Sequence, residues 1–223
     1  MIVAIDGPAA SGKSTVARRV AQRLGFRYLD TGAMYRAIGV ETLHRGVALD
    51  DVEGIIAVAR SCRVTFDHLP GEAVYTAVRI NGRDVTADIR TPEADLAVSP
   101  VSQIAEVREL MVAEQRRLAS EADTVVEGRD IGTVVFPDAP VKVYLTATAS
   151  ERARRRLGDR VAAGHGSEIA AVAADIERRD RADAEREVSP LRPAEDALVI
   201  DTTEMSPDEV VDTIISLVRA VER

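Results

Sequence analysis

This chain of 223 residues is poor in several residue types, and each shortage excludes a class of protein. It has no tryptophan, aromatic residues make up 3% of it, and its formal net charge is −8. Proteins that bind nucleic-acid strands use stacking aromatics and positive charge, so we expect no nucleic-acid partner. The single cysteine, Cys62, excludes an internal disulfide and cannot form a metal site by itself.

Long apolar runs are also missing. The first apolar run, residues 2–5, is too short for a secretion signal, and no later run is long enough to cross a membrane. We therefore expect a cytoplasmic protein without membrane contacts. The length predicts a single domain over residues 1–223, and because no apolar surface stripe indicates a dimer, we expect a monomer.

Lysine is scarce, and one of the two lysines lies in the segment around which the chain is organised. This segment, the P-loop, fits the pattern GxxxxGK[ST] and consists of Gly7, Pro8, Ala9, Ala10, Ser11, Gly12, Lys13, Ser14 and Thr15. It lies between a strand-like run and a helix-like run over residues 16–24. The glycines let successive N–H groups point at phosphate oxygens, the lysine reaches the outer phosphates, and the Ser14 hydroxyl suits Mg²⁺. The P-loop therefore predicts a nucleoside triphosphate site.

Strand-like and helix-like segments alternate along most of the chain, which predicts an α/β fold with a parallel sheet and helices on both faces. Later strands are expected at residues 27–30, 124–127, 140–145 and 197–201. Helices are expected at residues 33–45, 51–60, 106–120 and 167–187, and from Pro92, Ser150 and Pro207 onward. Ligands of such sheets gather at the carboxyl ends of the strands, where Asp6, Asp30, Asp130 and Asp201 fall.

A β-rich stretch over residues 62–87 interrupts the alternation. Its segments are separated by short turns, and the dipeptide Asn81-Gly82 is a strong hairpin signal. This stretch predicts a small antiparallel sheet inserted into the chain, within an insertion over residues 62–90.

Two arginine-rich helices flank a glycine-rich break at residues 162–166. The first carries Arg152, Arg155 and Arg156 on one face, and the second carries Arg179, Asp183 and Arg186 on one face. One interpretation is a solvated surface with ion pairs inside each helix. The other is a lid over residues 152–167 that closes over phosphates.

Several stretches together resemble the bacterial cytidylate kinases (CMP kinases) of the nucleoside monophosphate kinase group. They are IDGPAASGKST from Ile5, LDTGAMYR from Leu29, VEGRDIGTVVFPDAPVK from Val126, RARRR from Arg152 and RRDRADAEREVSPL from Arg178. The resemblance implies a three-layer P-loop kinase fold with a five-stranded parallel sheet, a helical lid and a small antiparallel insertion in the monophosphate-binding part. It also implies transfer of a phosphoryl group from ATP to CMP or dCMP with Mg²⁺, in pyrimidine nucleotide metabolism.

The resemblance assigns roles to polar residues, and the first set handles phosphate. The catalytic residues it implies are Lys13, Arg129, Arg152, Arg155, Arg156 and Arg186. It places Arg36, Arg129 and Arg186 on the CMP phosphate, where bidentate guanidinium bonding fits. It places Ser14, and Asp30 through water, on Mg²⁺. No general base is required, because the attacking phosphate oxygen is already anionic near neutral pH, and we expect His44, His68 and His165 to be surface or loop residues.

The second set reads the rest of the acceptor. Ser99, Arg108 and Asp130 resemble the residues that recognise cytosine, whose N4 amino group donates to a carboxylate. Arg179 and Asp183 resemble the sugar end of the site. Thr31 and Tyr35 complete the substrate-binding residues that the resemblance implies.

Three alternatives stay open from the residues. The first is another small-substrate P-loop kinase acting on UMP, AMP, dTMP or shikimate, which the Ser99, Arg108 and Asp130 set disfavours. The second is a GTPase switch, which needs an NKxD motif that the sequence lacks. The third is a nucleic-acid-dependent ATPase, which the acidic composition and the few aromatics disfavour.

Overall fold

The computed structural model describes residues 1–162, 164 and 168–222. These residues divide into two compact units. The first unit comprises Met1–Val20 and Glu127–Arg223, and the second comprises Ala21–Val126. The single domain over residues 1–223 stays a prediction, as do the limits of the insertion and the lid.

Regular elements cover most of the described chain. Its strands are β1 (Ile2–Asp6), β2 (Arg27–Asp30), β3 (Val64–Asp67), β4 (Ala77–Ile80), β5 (Arg83–Asp84), β6 (Thr124–Gly128), β7 (Val141–Thr146) and β8 (Leu198–Asp201). Its α-helices are α1 (Lys13–Leu24), α2 (Thr31–His44), α3 (Val52–Ser61), α4 (Pro92–Gln103), α5 (Ala105–Ala119), α6 (Ala149–Ala162), α7 (Ile169–Ala184) and α8 (Pro207–Val221). A 3₁₀ turn covers Asp88–Arg90, and a single π-type turn covers Ile131–Val135.

The large sheet has five strands in the order β2-β6-β1-β7-β8, which confirms the predicted five-stranded parallel sheet. Val3 of β1 lies opposite Val141 of β7, and Leu145 of β7 lies opposite Ile200 of β8. Four consecutive residues of β1, Val3 to Asp6, are buried. Because consecutive side chains of a strand point to opposite faces, both faces of the sheet are covered at β1.

The predicted small antiparallel sheet is also confirmed, with the order β3-β4-β5. Asn81 and Gly82 form its two-residue hairpin turn with φ of 50° and 84°, as a type I′ turn requires. Strand β4 begins only at Ala77, so residues 73–76 of the β-rich stretch do not form a strand. The Ala73 carbonyl instead accepts a hydrogen bond from the Tyr28 N–H at 2.9 Å, which draws the chain toward β2.

Local chemistry sets most helix ends as expected. The Thr91 side chain caps α4, with proline at its start, and Ser206 and Glu209 form the capping box of α8. The predicted start of α2 at Ala33 is wrong by two residues. The Asp30 carboxylate caps the helix by accepting from the Ala33 N–H at 2.9 Å, so that α2 begins at Thr31.

The arginine-rich helices differ from the predictions at their ends. Helix α6 begins at Ala149, so Ser150 lies inside its first turn and is not its cap. Helix α7 ends at Ala184, three residues before the predicted end. The predictions for Ala163, His165, Gly166 and Ser167, which include part of the lid and the start of α7, lie outside the described residues.

Helices α2 and α4 pack closely because α2 has a glycine at their contact. A Cβ built on Gly39 would lie 2.9 Å from the Ala97 Cβ, which is closer than two such atoms approach in folded proteins. In α6, Gly158 is exposed, and a Cβ there would meet nothing within 4 Å.

These two glycines provide a matched test of helix packing. We expect Gly39→Ala to lower the free energy of unfolding by roughly 1–3 kcal/mol, because the new methyl group forces the helices apart. We expect Gly158→Ala to raise it by about 0.5–1 kcal/mol, because alanine favours the helix and nothing clashes. Urea unfolding of both variants measures the difference, and equal shifts would contradict the packing described for α2 and α4.

Candidate functional site

The P-loop connects β1 to α1 and requires glycine at its first position. Gly7 has φ of 149°, and a Cβ there would lie 2.1 Å from the Leu145 carbonyl oxygen of β7. Gly12 and Ala10 also have positive φ, 90° and 58°. The loop is therefore held in a conformation that most residues disfavour, against a neighbouring strand.

Lys13 begins α1 and is buried, with 6% of its surface exposed. Its Nζ donates to the Pro8 carbonyl oxygen at 2.6 Å and to the Ser11 Oγ at 3.5 Å, so the ammonium folds back onto the P-loop. Burial, and after it the nearby Arg129 guanidinium, lowers the pKa of Lys13 from 10.5 to about 7, although the Glu127 carboxylate favours the charged form.

Asp6, at the end of β1, fixes the turn that follows β6. Its carboxylate accepts from the backbone N–H groups of Ile131 and Gly132, both at 2.8 Å. Burial raises the pKa of Asp6 from 3.8 to about 6, although these two N–H groups favour the ionised form. For this side chain, the sequence predicted no role beyond its place at a strand end.

Glu127, at the end of β6, meets the P-loop. Its Oε2 accepts from the Ser14 hydroxyl at 2.9 Å. Among the described residues no group of three or more His, Cys, Asp or Glu side chains could hold a metal ion. Mg²⁺ prefers oxygen ligands and is commonly held by one or two protein groups plus phosphates and water, so the Ser14 and Glu127 oxygens fit this ion. The sequence predicted Ser14 but missed Glu127 as a candidate partner of the metal.

Two predicted arginines of α6 contact the P-loop or residues beside it. Arg152 donates to the Ala9 carbonyl oxygen at 3.2 Å and pairs with Asp180 of α7. The other Asp180 oxygen accepts from the Ala9 N–H at 3.1 Å. The Asp180 carboxylate therefore already accepts a hydrogen bond from one P-loop amide. The sequence did not indicate Asp180 as a site residue.

Arg155 contacts the chain that follows β8. It donates to the Thr202 carbonyl oxygen at 2.6 Å and to the Glu151 carboxylate at 2.8 Å. A Cβ on Gly12 would lie 3.5 Å from its Nη1. The interpretation of a solvated surface with ion pairs inside the helix fits another part of α6. In the hydrogen bonds of the described chain, the exposed Arg154 pairs only with Glu151.

A second cluster joins the end of β6 to the end of α7. Arg129 donates through Nε to the Asp183 Oδ2 at 2.8 Å, and Arg186 donates through Nε to the Asp183 carbonyl oxygen at 3.2 Å. Burial alone raises the pKa of Asp183, but Arg129 and Arg186 together hold it below its usual value. Arg186 lies two residues beyond α7, so it does not share a helical face with Arg179, which lies 3.5 Å from Asp175 instead.

Asp130 lies between this cluster and the π-type turn. Asp130 is buried, and its backbone carbonyl oxygen accepts hydrogen bonds from the N–H groups of Val134 and Val135 at 2.9 and 3.1 Å. The sequence did not predict this turn. Arg156, the remaining predicted arginine of α6, is half-buried.

The second unit contains the other predicted residues, and its first group lies at the start of α2. The Asp30 Oδ1 accepts from the Ala33 N–H, and its Oδ2 accepts from the Arg36 Nη2 at 3.2 Å and from the Tyr75 hydroxyl at 3.3 Å. Thr31 is buried as the first residue of α2. The role of Asp30 in holding Mg²⁺ through water stays a prediction.

A second group in this unit surrounds Arg108, which is buried on α5. Its Cζ lies 5.4 Å from the centre of the Tyr35 ring, a cation–π contact, and its Nη1 donates to the Ser102 carbonyl oxygen at 3.1 Å. The Ser102 hydroxyl donates to the Ser99 carbonyl oxygen at 3.2 Å. The fold thus brings together three of the residues predicted to read the acceptor.

The first unit also contains a cleft of about 550 Å³, here called the β8 cleft. Its walls are the P-loop, α1, α6 and the chain after β8, with Arg155, Thr202, Met205 and Pro207 among the lining residues. Its volume suits a ligand of nucleoside size. The sequence did not identify residues 202–207 as the lining of a cleft. Its one indication of a ligand in this region was the predicted strand end at Asp201.

Comparisons with known proteins show similarity over nearly the whole chain. A family model described as cytidylate kinase matches residues 3–220. A cytidylate kinase from Nocardia farcinica is 50% identical over 215 residues, 96% of this chain and 91% of that protein. A cytidylate kinase from a Geobacillus species is 49% identical over 216 residues, 97% of this chain and 95% of that protein.

Solved structures support the fold alone. A shikimate kinase from Bacteroides thetaiotaomicron is 12% identical, covers 98% of both chains and has a TM-score of 0.51. An uncharacterised protein from Eubacterium ventriosum is 13% identical, covers 99% of both chains and has a TM-score of 0.54. Among the described residues, no helix is both long enough and apolar enough to span a membrane.

The low pKa of Lys13 predicts that polyphosphate binding takes up a proton. At pH 8 most of the buried amine is neutral, and a bound triphosphate would raise its pKa again by placing negative charge beside it. We expect calorimetric titration with ATP at pH 8 to give a heat that depends on the ionisation enthalpy of the buffer, with a slope of up to about one proton taken up.

The matched control is Lys13→Met, which removes the titrating amine. We expect this variant to lose the buffer dependence at pH 8. Equal proton uptake by Lys13→Met and the unchanged chain would show that another group takes up the proton.

Proposed function

Because this chain belongs to the cytidylate kinase family, we propose that it transfers the γ-phosphoryl group of ATP to CMP or dCMP, giving ADP and CDP or dCDP. The observation that carries the proposal is the buried charge cluster of the first unit, in which Lys13 lies near Arg129 and Glu127 at the end of the P-loop. Such a cluster suits the transfer of a phosphoryl group, which depends on positioning and charge stabilisation.

The donor side of the reaction uses the P-loop and the β8 cleft. The P-loop N–H groups and the α1 N-terminus bind the ATP phosphates, and Lys13 reaches the transferring group. The nucleoside of ATP occupies the β8 cleft, whose lining combines Arg155 with the apolar Met205 and Pro207. Arg152 and Arg155, with Arg156, neutralise charge on the transferring phosphoryl group.

The side of the reaction that binds CMP uses arginines that pair with carboxylates within their own unit. Arg36, Arg129 and Arg186 bind the CMP phosphate, and each lies within hydrogen-bonding or ion-pair reach of Asp30 or Asp183. No side chain removes a proton, since the attacking oxygen is already anionic near neutral pH.

Further residues recognise the base and the sugar of the acceptor. Asp130 accepts from the cytosine N4 amino group, whereas the O4 oxygen of uracil would face this carboxylate unfavourably. Ser99 and Arg108 contact the other base edge. Arg179 and Asp183 contact the sugar. Thr31 and Tyr35 line the acceptor site, where Tyr35 supports Arg108 through their cation–π contact.

Mg²⁺, when bound, neutralises charge on the ATP phosphates as they react. Ser14 supplies a hydroxyl ligand, and Glu127 orients that hydroxyl through their hydrogen bond. We also propose that the protein works as a cytoplasmic monomer on nucleotides of the pyrimidine pool. Family membership does not favour the other P-loop kinases, the GTPase switch or the nucleic-acid-dependent ATPase.

The first test is a panel of acceptors with Mg-ATP. We expect kcat/KM for CMP and dCMP to exceed that for UMP and AMP by at least roughly 100-fold, because a buried polar group left without its partner is costly. We expect Asp130→Asn to reduce this ratio, while Asp138→Asn, at an exposed site in the same segment, leaves it unchanged. Equal rates for CMP and UMP would contradict the assignment of the base-reading residues.

A second test concerns the metal. We expect Glu127→Gln to raise the Mg²⁺ concentration for half-maximal rate by roughly 10-fold, because partners of metal ligands affect affinity by about this factor. The KM for CMP should stay constant. Glu121→Gln, which changes an exposed glutamate, serves as control, and the same Mg²⁺ dependence in both variants would exclude Glu127 from this role.

A further inference from the structure

The segment that leads into the small sheet (β3–β5) contacts the residue before α2 through one hydroxyl group. Tyr75, which precedes β4, is buried, and its hydroxyl donates to the Asp30 Oδ2 at 3.3 Å. The same oxygen accepts from the Arg36 Nη2 at 3.2 Å. A tyrosine just before β4 and a predicted phosphate-binding arginine therefore donate to the same carboxylate oxygen.

The Tyr75 ring is held in place by its neighbours. It stacks on Tyr28 with ring centres 5.7 Å apart and an interplanar angle of 7°, and it packs against Phe66 at 4.8 Å. His68 approaches its edge at 6.4 Å. Because aromatic rings pack on several sides of the phenol, its hydroxyl oxygen is held in place for the hydrogen bond to Asp30.

Asp30 is constrained on both oxygens. Its Oδ1 caps α2 through the Ala33 N–H at 2.9 Å, while its Oδ2 accepts from Tyr75 and Arg36. The carboxylate is 6% exposed, whereas the Arg36 side chain is 26% exposed. The buried acceptor is therefore the fixed partner, and the arginine is the part of the pair that reaches toward solvent.

Glycine keeps this group compact. A Cβ on Gly32 would lie 3.1 Å from the Asp30 Oδ1 and 3.4 Å from the Arg36 Nη1. The arginine thus folds over the first turn of α2, with little room to adopt another position on that side. A shift of the Asp30 carboxylate would move Arg36 with it.

A second contact ties the small sheet to α2 at a distance from Arg36. Glu41, buried in the third turn of α2, accepts from the Arg83 Nη2 of β5 at 2.6 Å and from the Arg45 Nε at 2.8 Å. These pairs hold the pKa of Glu41 below its usual value, against the effect of burial. The small sheet is thereby joined to α2 at Glu41, while the segment that leads into β4 contacts Asp30 just before the start of α2.

We propose that Tyr75 is a positioning residue for the acceptor phosphate: its hydroxyl holds Asp30, and Asp30 in turn holds the Arg36 guanidinium in the orientation that binds CMP. The inference rests on the proposed function, since it requires Arg36 to bind the CMP phosphate. It assigns a role in the reaction to the β-rich stretch over residues 62–87, for which the sequence predicted none. Tyr75 itself does not touch the nucleotide.

The test is Tyr75→Phe, which removes the hydroxyl and keeps the ring. We expect the KM for CMP to rise about fivefold, as for the loss of a hydrogen bond to a charged group that acts through another residue. The KM for ATP and the Mg²⁺ concentration for half-maximal rate should not change. Arg79→Met is the control, because it removes an ion pair with Asp67 inside the same sheet and leaves Asp30 untouched.

A double-mutant cycle separates positioning from a general loss of structure. Asp30→Asn keeps a residue that caps helices well and removes the charge that holds Arg36. If Tyr75 acts through Asp30, then Tyr75→Phe should add little to the rise in KM for CMP in the Asp30→Asn background. Full additivity in the cycle, with both single variants folded in thermal melts, would overturn the inference.

Arg36→Lys distinguishes this inference from the proposed function. If this variant raises the KM for CMP at least roughly tenfold and Tyr75→Phe leaves it unchanged, the inference fails while the phosphate-binding role of Arg36 stands. If Arg36→Lys itself leaves the KM unchanged, that role fails first. A rise in Mg²⁺ requirement with Tyr75→Phe, at constant KM for CMP, would instead assign Asp30 to the metal and overturn the inference.

Discussion

The buried charge of Lys13 is the constraint on which the first unit depends. An ammonium group taken out of water costs free energy unless nearby charges and hydrogen bonds offset the loss. The P-loop supplies carbonyl and hydroxyl acceptors, and Asp6 and Glu127 supply negative charge, while Arg129 adds a second positive charge nearby. The unit therefore combines positive and negative groups where β1 and β6 end. A bound phosphate would place further negative charge beside Lys13 and raise the pKa of this amine again.

Carboxylates at strand ends and on α7 maintain this arrangement. Asp6 holds two amides of the turn after β6, and Glu127 holds the Ser14 hydroxyl. Asp180 holds the Ala9 amide of the P-loop and pairs with an arginine of α6. Each one joins segments that are far apart in the sequence, so the loop conformations that bind phosphate are supported from outside the loop.

Features set by neighbouring residues were predictable from the sequence, and features set by distant contacts were not. The P-loop, the Asn81-Gly82 hairpin and the capping box at Ser206 each depend on residues within about one turn of the chain, and their residue types carry the information. The pairing of Asp180 with Ala9 spans most of the chain, so no local pattern indicates it. Helix α7 ended earlier than its arginine spacing suggested, because a periodic pattern continues past the last helical hydrogen bond.

Each carboxylate that pairs with an arginine of the proposed CMP site has a second polar neighbour. The Tyr75 hydroxyl donates to Asp30 at 3.3 Å, and the Arg186 Nη2 lies 3.6 Å from the Asp183 Oδ1. A buried carboxylate that lost its only partner would cost free energy. An arginine that is the only partner of such a carboxylate is therefore not free to bind a ligand instead. Arg36 is therefore not the only partner of Asp30, and Arg129 is not the only partner of Asp183. If these arginines bind the CMP phosphate as proposed, they are ordered before the nucleotide binds, and this ordering lowers the entropic cost of binding.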